Sequence, residues 1–253
     1  MYVEKEKKSG FSLVELSIVL VILGLLVGGV LTGQSLIRAA ELRAVTTEYS
    51  RYITAVQSFR DKYFALPGDM NNATAFWGAA HATPATCNTT SSSTALTCNG
   101  DGNGQIAYGA PEMFRAWQHL ANAGLIEGSY TGVDGPGTIL GTNVPRSKLS
   151  SAGWSMTSGF SGDYPTLHFP TTSATSNKLT FGAVGTWTTV AVIKPEELWN
   201  IDTKLDDGLP PTGAVRTYTT SYLTNCTNGT TNTATYQLSN TSVACSIVFI
   251  PGF

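Results

Sequence analysis

The sequence predicts an α+β chain in which one long N-terminal helix, membrane-spanning in its first half and amphipathic in its second, packs on a head of mostly antiparallel β-sheet. Three observations predict it. An apolar run fills 11–32, and a stripe of helical period then continues to Tyr63 with no proline before Pro67. The later part of the chain is a series of short β-branched and aromatic segments separated by Gly, Pro, Asn and Ser.

Residues 11–32 (FSLVELSIVLVILGLLVGGVLT) hold one ionisable side chain, Glu15. At about 1.5 Å per residue such a helix covers about 33 Å, enough to cross a bilayer core. The polar stretch 1–10 carries Lys5, Lys7 and Lys8, which hold that end in the cytoplasm by the positive-inside rule. A secretory signal peptide is the ordinary rival, but its apolar region runs about 7–15 residues and ends in a small-residue cleavage site. This run is longer and contains an acid. A carboxylate in hydrocarbon costs about 2.5–3.5 kcal/mol on the lenient insertion scale, and no Lys or Arg follows Glu15 until Arg38. Hydrolysis after Gly10 would create the missing cation as the α-amino group of Phe11. Glu15 could then pair with its own amine or with that of a neighbouring copy staggered by one turn.

Gly10-Phe11-Ser12-Leu13-Val14-Glu15-Leu16, followed by Ser17-Ile18-Val19-Leu20-Val21-Ile22-Leu23, resembles the type IV prepilin signature. Pilus subunits and the pseudopilins of type II secretion share it. The resemblance implies cleavage between Gly10 and Phe11 by a prepilin peptidase, N-methylation of Phe11, and a role for Glu15 in registering each incoming subunit. It implies a leader at 1–10, a spine helix at 11–63 with 11–32 in the membrane, and a ladle-shaped whole with a head at 64–253. The implied partners are copies of the chain and other pilins, the inner membrane, the peptidase/methyltransferase and an assembly platform. The implied location is the inner membrane, single-pass with a cytoplasmic N-terminus, before assembly, and a periplasmic or extracellular filament after it. The chain departs from the family at Thr32, where a proline is common, so no proline kink is expected there.

Gly24 with Gly28, and Gly29 with Gly33, have the GxxxG spacing that lets helices approach closely in membranes. Each glycine also weakens the helix by about 1 kcal/mol relative to Ala, so the stretch reads either as a packing face or as a place of local melting. Further on, Leu42, Val45, Tyr49, Tyr52, Val56, Phe59 and Tyr63 form the apolar stripe, with Glu41, Arg43, Glu48, Arg51, Arg60, Asp61 and Lys62 mostly on other faces.

Pro67-Gly68-Asp69 ends this helix. A second helix is expected at 111–123, with Met113, Phe114, Trp117 and Leu120 as its apolar face and Gly124 at its exit. Strands are expected at 166–169, 178–184, 187–193, 216–223 and 243–250, and a helix at 195–205 with proline at its start, acids in its first turn and Gly208 beyond its end.

The four cysteines permit three connectivities, and their local spacing favours Cys87 with Cys98 and Cys226 with Cys245, each closure worth about 3 kcal/mol in an oxidising compartment. The second pair resembles the C-terminal disulfide loop that many pilins display. Asn99-Gly100-Asp101-Gly102-Asn103-Gly104-Gln105-Ile106 reproduces the first half of a calcium loop, with oxygen donors at alternate positions. Its twelfth position is Ala110, leaving Glu112 as the substitute acid. Calcium, on Asn99, Asp101, Asn103, Gln105 and Glu112, is therefore the one cofactor the sequence suggests. Asp202, Asp206 and Asp207 read instead as a helix end and turn.

A net charge of −2 with 13% charged residues gives no basic surface for a polyanion, so no nucleic-acid partner is expected. His81, His119 and His168 are the only histidines, and HExxH, GxSxG and phosphate-binding glycine loops are missing, so the chain does not read as an enzyme. The rival class is a signal-anchored periplasmic binding protein or enzyme that uses the segment as a tether. Pilus and secretion pseudopilus share every residue named here, and the size of the head favours a pilin or a minor subunit.

Overall fold

The computed structural model describes residues 12–92, 94–108, 111–133, 137–158, 176–185, 187–217, 225–229 and 233–253. Helix α1 runs unbroken over Leu13–Tyr63. The chain divides into two units, Met1–Arg43 and Ala44–Phe253.

In the first unit the described residues are helical and almost wholly exposed, Leu13, Leu20, Leu25 and Leu31 among them. Among the described residues α1 is the one helix long and apolar enough to cross a membrane. Hydroxyls within this stretch satisfy themselves on the helix backbone, Thr32 on the Gly28 carbonyl and Ser17 on that of Val14. Ser35 does the same on the Thr32 carbonyl, so these three hydroxyls face an apolar environment already paired.

The second unit contains α2 (Ala73–Trp77), α3 (Pro84–Cys87), α4 (Glu112–Asn122), β1 (Ala152–Thr157), β2 (Lys178–Ala183), α5 (Pro195–Leu205), β3 (Val215–Thr217) and β4 (Ile247–Phe249). The strands form one antiparallel sheet in the order β1-β2-β4-β3. The later half of α1 supplies the stripe predicted for it: Val45, Tyr52, Val56 and Phe59 are buried. Tyr52 stands edge-on to Trp117 of α4 and Trp154 of β1, at centroid distances of 5.0 and 5.4 Å, and Tyr49 stacks on Phe249 of β4 at 4.1 Å. Contacts of this kind add to plain area burial and fix how the helix seats on the sheet.

The α+β layout, the long helix, α4 and α5 follow the sequence closely. The α5 start works as its composition suggests, with Pro195 in the first turn and the Glu197 carboxylate accepting the Lys194 N–H at 2.9 Å. Helix α4 leaves through Gly124 at φ +72°, and the Leu125 N–H closes on the Leu120 carbonyl.

Four sequence expectations change. Glu48 does not lie on a solvent face but is buried. The 187–193 segment forms no strand: β4 holds the free edge of β2 at 179–181, leaving Val190 to pair with Ala183 alone, while Ile193 pairs with Cys245. The same pairing detaches Cys245 from β4, so the strand expected at 243–250 shrinks to Ile247–Phe249. Strand β1 (AGWSMT) lay outside the expected set because Gly and Ser interrupt its apolar residues, yet all six residues are buried. Of the strand expected at 216–223, Val215–Thr217 forms; the remainder, and all of 166–169, lie outside the described residues.

Candidate functional site

The processing positions Gly10 and Phe11 lie outside the described residues. Glu15 is in the first turn of α1, where its carboxylate accepts the Ser12 N–H at 2.9 Å. An acid at a helix N-terminus gains about 0.3–1 kcal/mol from the helix dipole, well short of the cost of burying it in hydrocarbon. Among the described residues no cationic side chain forms an ion pair with Glu15; the nearest pair along the helix is Arg38 with Glu41. Gly24, Gly28, Gly29 and Gly33 have open space where a Cβ would be, so nothing within the described chain requires them to be small.

The acidic loop is built differently from a helix-loop-helix calcium site. The Asn99 side-chain oxygen leaves the loop to accept the Thr74 N–H of α2 at 2.8 Å, and Asn103 closes a local turn by accepting from Gln105 N–H. Asp101 and Glu112 do converge, and the third carboxylate is Asp69, which in the sequence stands only as part of the helix-ending Pro67-Gly68-Asp69. Ligand oxygens of the three lie within 4.8 Å of one another. Asp69 accepts Asn103 and Gly104 N–H, and Glu112 accepts Asp101 and Ala107 N–H, all at 2.9–3.0 Å. Burial, then the neighbouring acids, raises the Glu112 carboxyl above its ordinary value; burial is also the leading cause of the rise at Asp69. Three hard oxygen ligands, each with lone pairs left over and no described cation in an ion pair with them, fit a calcium-type ion. Gly100 has no room for a side chain because the backbone of Gly68 and Asp69 occupies its Cβ position, which keeps the two segments in contact.

Both disulfides form as their spacing favours, Cys87–Cys98 and Cys226–Cys245. A buried polar chain secures the first. Arg115 donates to the Cys87 and Thr90 carbonyls and to Gln118, Thr97 Oγ1 donates to the same Gln118 oxygen, and His119 joins through Thr97. The Gly68 N–H donates to His119 Nδ1, so the ring is neutral with its proton on Nε2, and burial pushes its pKa down to about 3. His119 is thus a hydrogen-bonding core residue. His81 is exposed and accepts the Thr83 N–H, and His168 lies outside the described residues.

The second acidic group holds a turn together. Asp206 accepts Ala214 and Val215 N–H, Asp207 accepts Leu209 N–H and the Thr212 hydroxyl, and buried Asp202 accepts the Tyr236 hydroxyl at 2.7 Å. The last bond ties the Cys226–Cys245 loop to α5.

Comparison with known proteins adds one match. Residues 5–31 fit the family model described as the prokaryotic N-terminal methylation motif, which is the type IV prepilin signature. No curated protein and no solved structure matches the chain. The motif supports a type IV pilin-like or pseudopilin-like protein and points towards a structural role, and with the apolar helix it fits anchoring in the inner membrane.

Proposed function

We propose that the chain is a structural subunit of a type IV pilus-like filament, made as a prepilin, cut between Gly10 and Phe11, methylated on the new amine and polymerised through α1. One observation carries the reading: within the matched segment, an apolar helix holds a single acid, Glu15, that no described cation pairs. An amine created at Phe11 satisfies it, and if that amine belongs to the next subunit the pair sets the register of assembly. The open glycines at 24–33 then serve close approach of neighbouring helices. In this reading the N-terminus is cytoplasmic before assembly, copies of the chain and other pilins are its partners, and the head ends in the periplasm or outside the cell.

Glu15→Ala tests it. Membrane insertion is expected to persist while filament yield falls steeply, and normal filaments would refute the salt-bridge account. The second reading, a type II secretion pseudopilin, rests on the same motif and differs in the machine it joins. We also propose calcium for Asp69, Asp101 and Glu112, supported by three converging carboxylates.

A further inference from the structure

Helix α1 ends in a way that the fold does not need. Phe64, the residue after its last turn, has φ +52°, and its N–H closes on the Arg60 carbonyl at 2.8 Å. That left-handed exit is one glycine takes freely and an aromatic residue takes only under strain. Its ring is also 94% exposed, so it adds nothing to the core. Two unfavourable choices coincide at one residue, and glycine would relieve both. A side chain kept against the interest of the folded chain points to a contact outside it.

The surroundings define that contact. Phe64 borders an open groove of about 820 Å³, within the size range of small-molecule sites. Gln57, Arg60, Asp61 and Phe64 follow one another at helical steps of three and four, so they share one face of α1, and Asn71 and Phe253 line the groove with them. Gln57, Arg60, Asp61 and Asn71 make no side-chain hydrogen bond or ion pair among the described residues, which leaves planar donors and acceptors open to a ligand. Arg60 and Asp61 offset each other and Asp69 adds a further carboxylate to the lining, so the groove does not select a phosphate or another strong anion. The mixture of planar polar groups is too wet for a lipid tail. Paired planar groups suit neighbouring hydroxyls, and an exposed ring face suits the C–H face of a pyranose. We propose that this groove binds a neutral oligosaccharide, with Phe64 as the stacking platform and Asn71 and the Gln57–Asp61 face as the hydrogen-bonding wall.

The test uses the full chain in detergent micelles, titrated by calorimetry with maltotriose, cellotriose and the trimer of N-acetylglucosamine. At least one probe is expected to bind, and Phe64→Ala and Asn71→Ala are each expected to weaken it by about tenfold. Phe64→Gly should raise the melting temperature while weakening binding likewise. No binding by any probe, binding that Phe64→Ala leaves unchanged, or a lower melting temperature for Phe64→Gly would overturn the proposal. So would loss of self-association in Phe64→Ala without sugar binding, which would make the groove a contact between copies.

Discussion

Glu48 of α1 accepts a 2.7 Å hydrogen bond from the indole N–H of Trp154 on β1, and its other oxygen accepts the Lys148 N–H at 2.9 Å. The long helix is therefore fastened to the sheet by a buried acid placed amid its aromatic contacts. Glu48→Ala leaves the buried Trp154 indole N–H and the half-buried Lys148 N–H without acceptors and is expected to destabilise the fold by about 3 kcal/mol. Glu48→Gln keeps a carbonyl acceptor and should lose less. Urea unfolding followed by tryptophan fluorescence measures both, and equal losses for the two variants would point to packing instead.

Asp202 gives stability a pH slope. Burial raises its carboxyl from 3.8 to about 7, with Asp207 and Asp206 adding repulsion and the Tyr236 and Gly208 hydrogen bonds opposing the rise. An acid raised on folding holds a proton in the folded chain that the unfolded chain has released. Its contribution is therefore complete below 3.8 and is lost as pH climbs through about 7. Asp202→Asn should flatten that part of the melting-temperature profile between pH 5 and pH 8, and an unchanged slope would assign the effect to other groups.

Calcium at the acidic loop should raise the melting temperature, because an ion that binds only the folded chain stabilises it by mass action. Asp101→Ala, whose carboxylate is exposed, should abolish the rise. Absence of calcium uptake in calorimetry would leave Asp69 and Glu112 as turn-forming carboxylates only.

What was legible in the sequence was what one dimension can carry. The membrane run, Glu15 within it, the period of the stripe, the proline start of α5 and the local cysteine pairs are all patterns of spacing. Partners distant in sequence were not legible. Glu48 reads as one charge among several on a helix until Trp154 arrives from 106 residues away. Asp69 reads as a turn residue until the loop more than 30 residues on folds over it. Strand β1 lacks an apolar run because both its faces are covered inside the unit, where small and hydroxyl side chains fit as well as branched ones. A glutamate on a mostly aromatic stripe, at helical spacing from Tyr52, was the available hint for the Glu48 contact.

The glycines of α1 separate folding from assembly. A side chain at Gly24 or Gly28 meets nothing within 4 Å and leucine favours the helix over glycine, so Gly28→Leu should leave monomer stability undiminished or raise it by up to about 1 kcal/mol. Filament yield should fall, because a leucine holds neighbouring helices apart. Electron microscopy of sheared filaments from cells carrying the variant reads the second quantity, and full yields would assign these glycines no packing role.

Mass spectrometry of the N-terminal peptide, taken from the chain isolated out of membranes and out of fibres, tests the central claim most directly. A mature chain that begins at Phe11 with a methylated amine is the predicted result. A chain in fibres that still begins at Met1, or one cut well beyond Phe11, would contradict it.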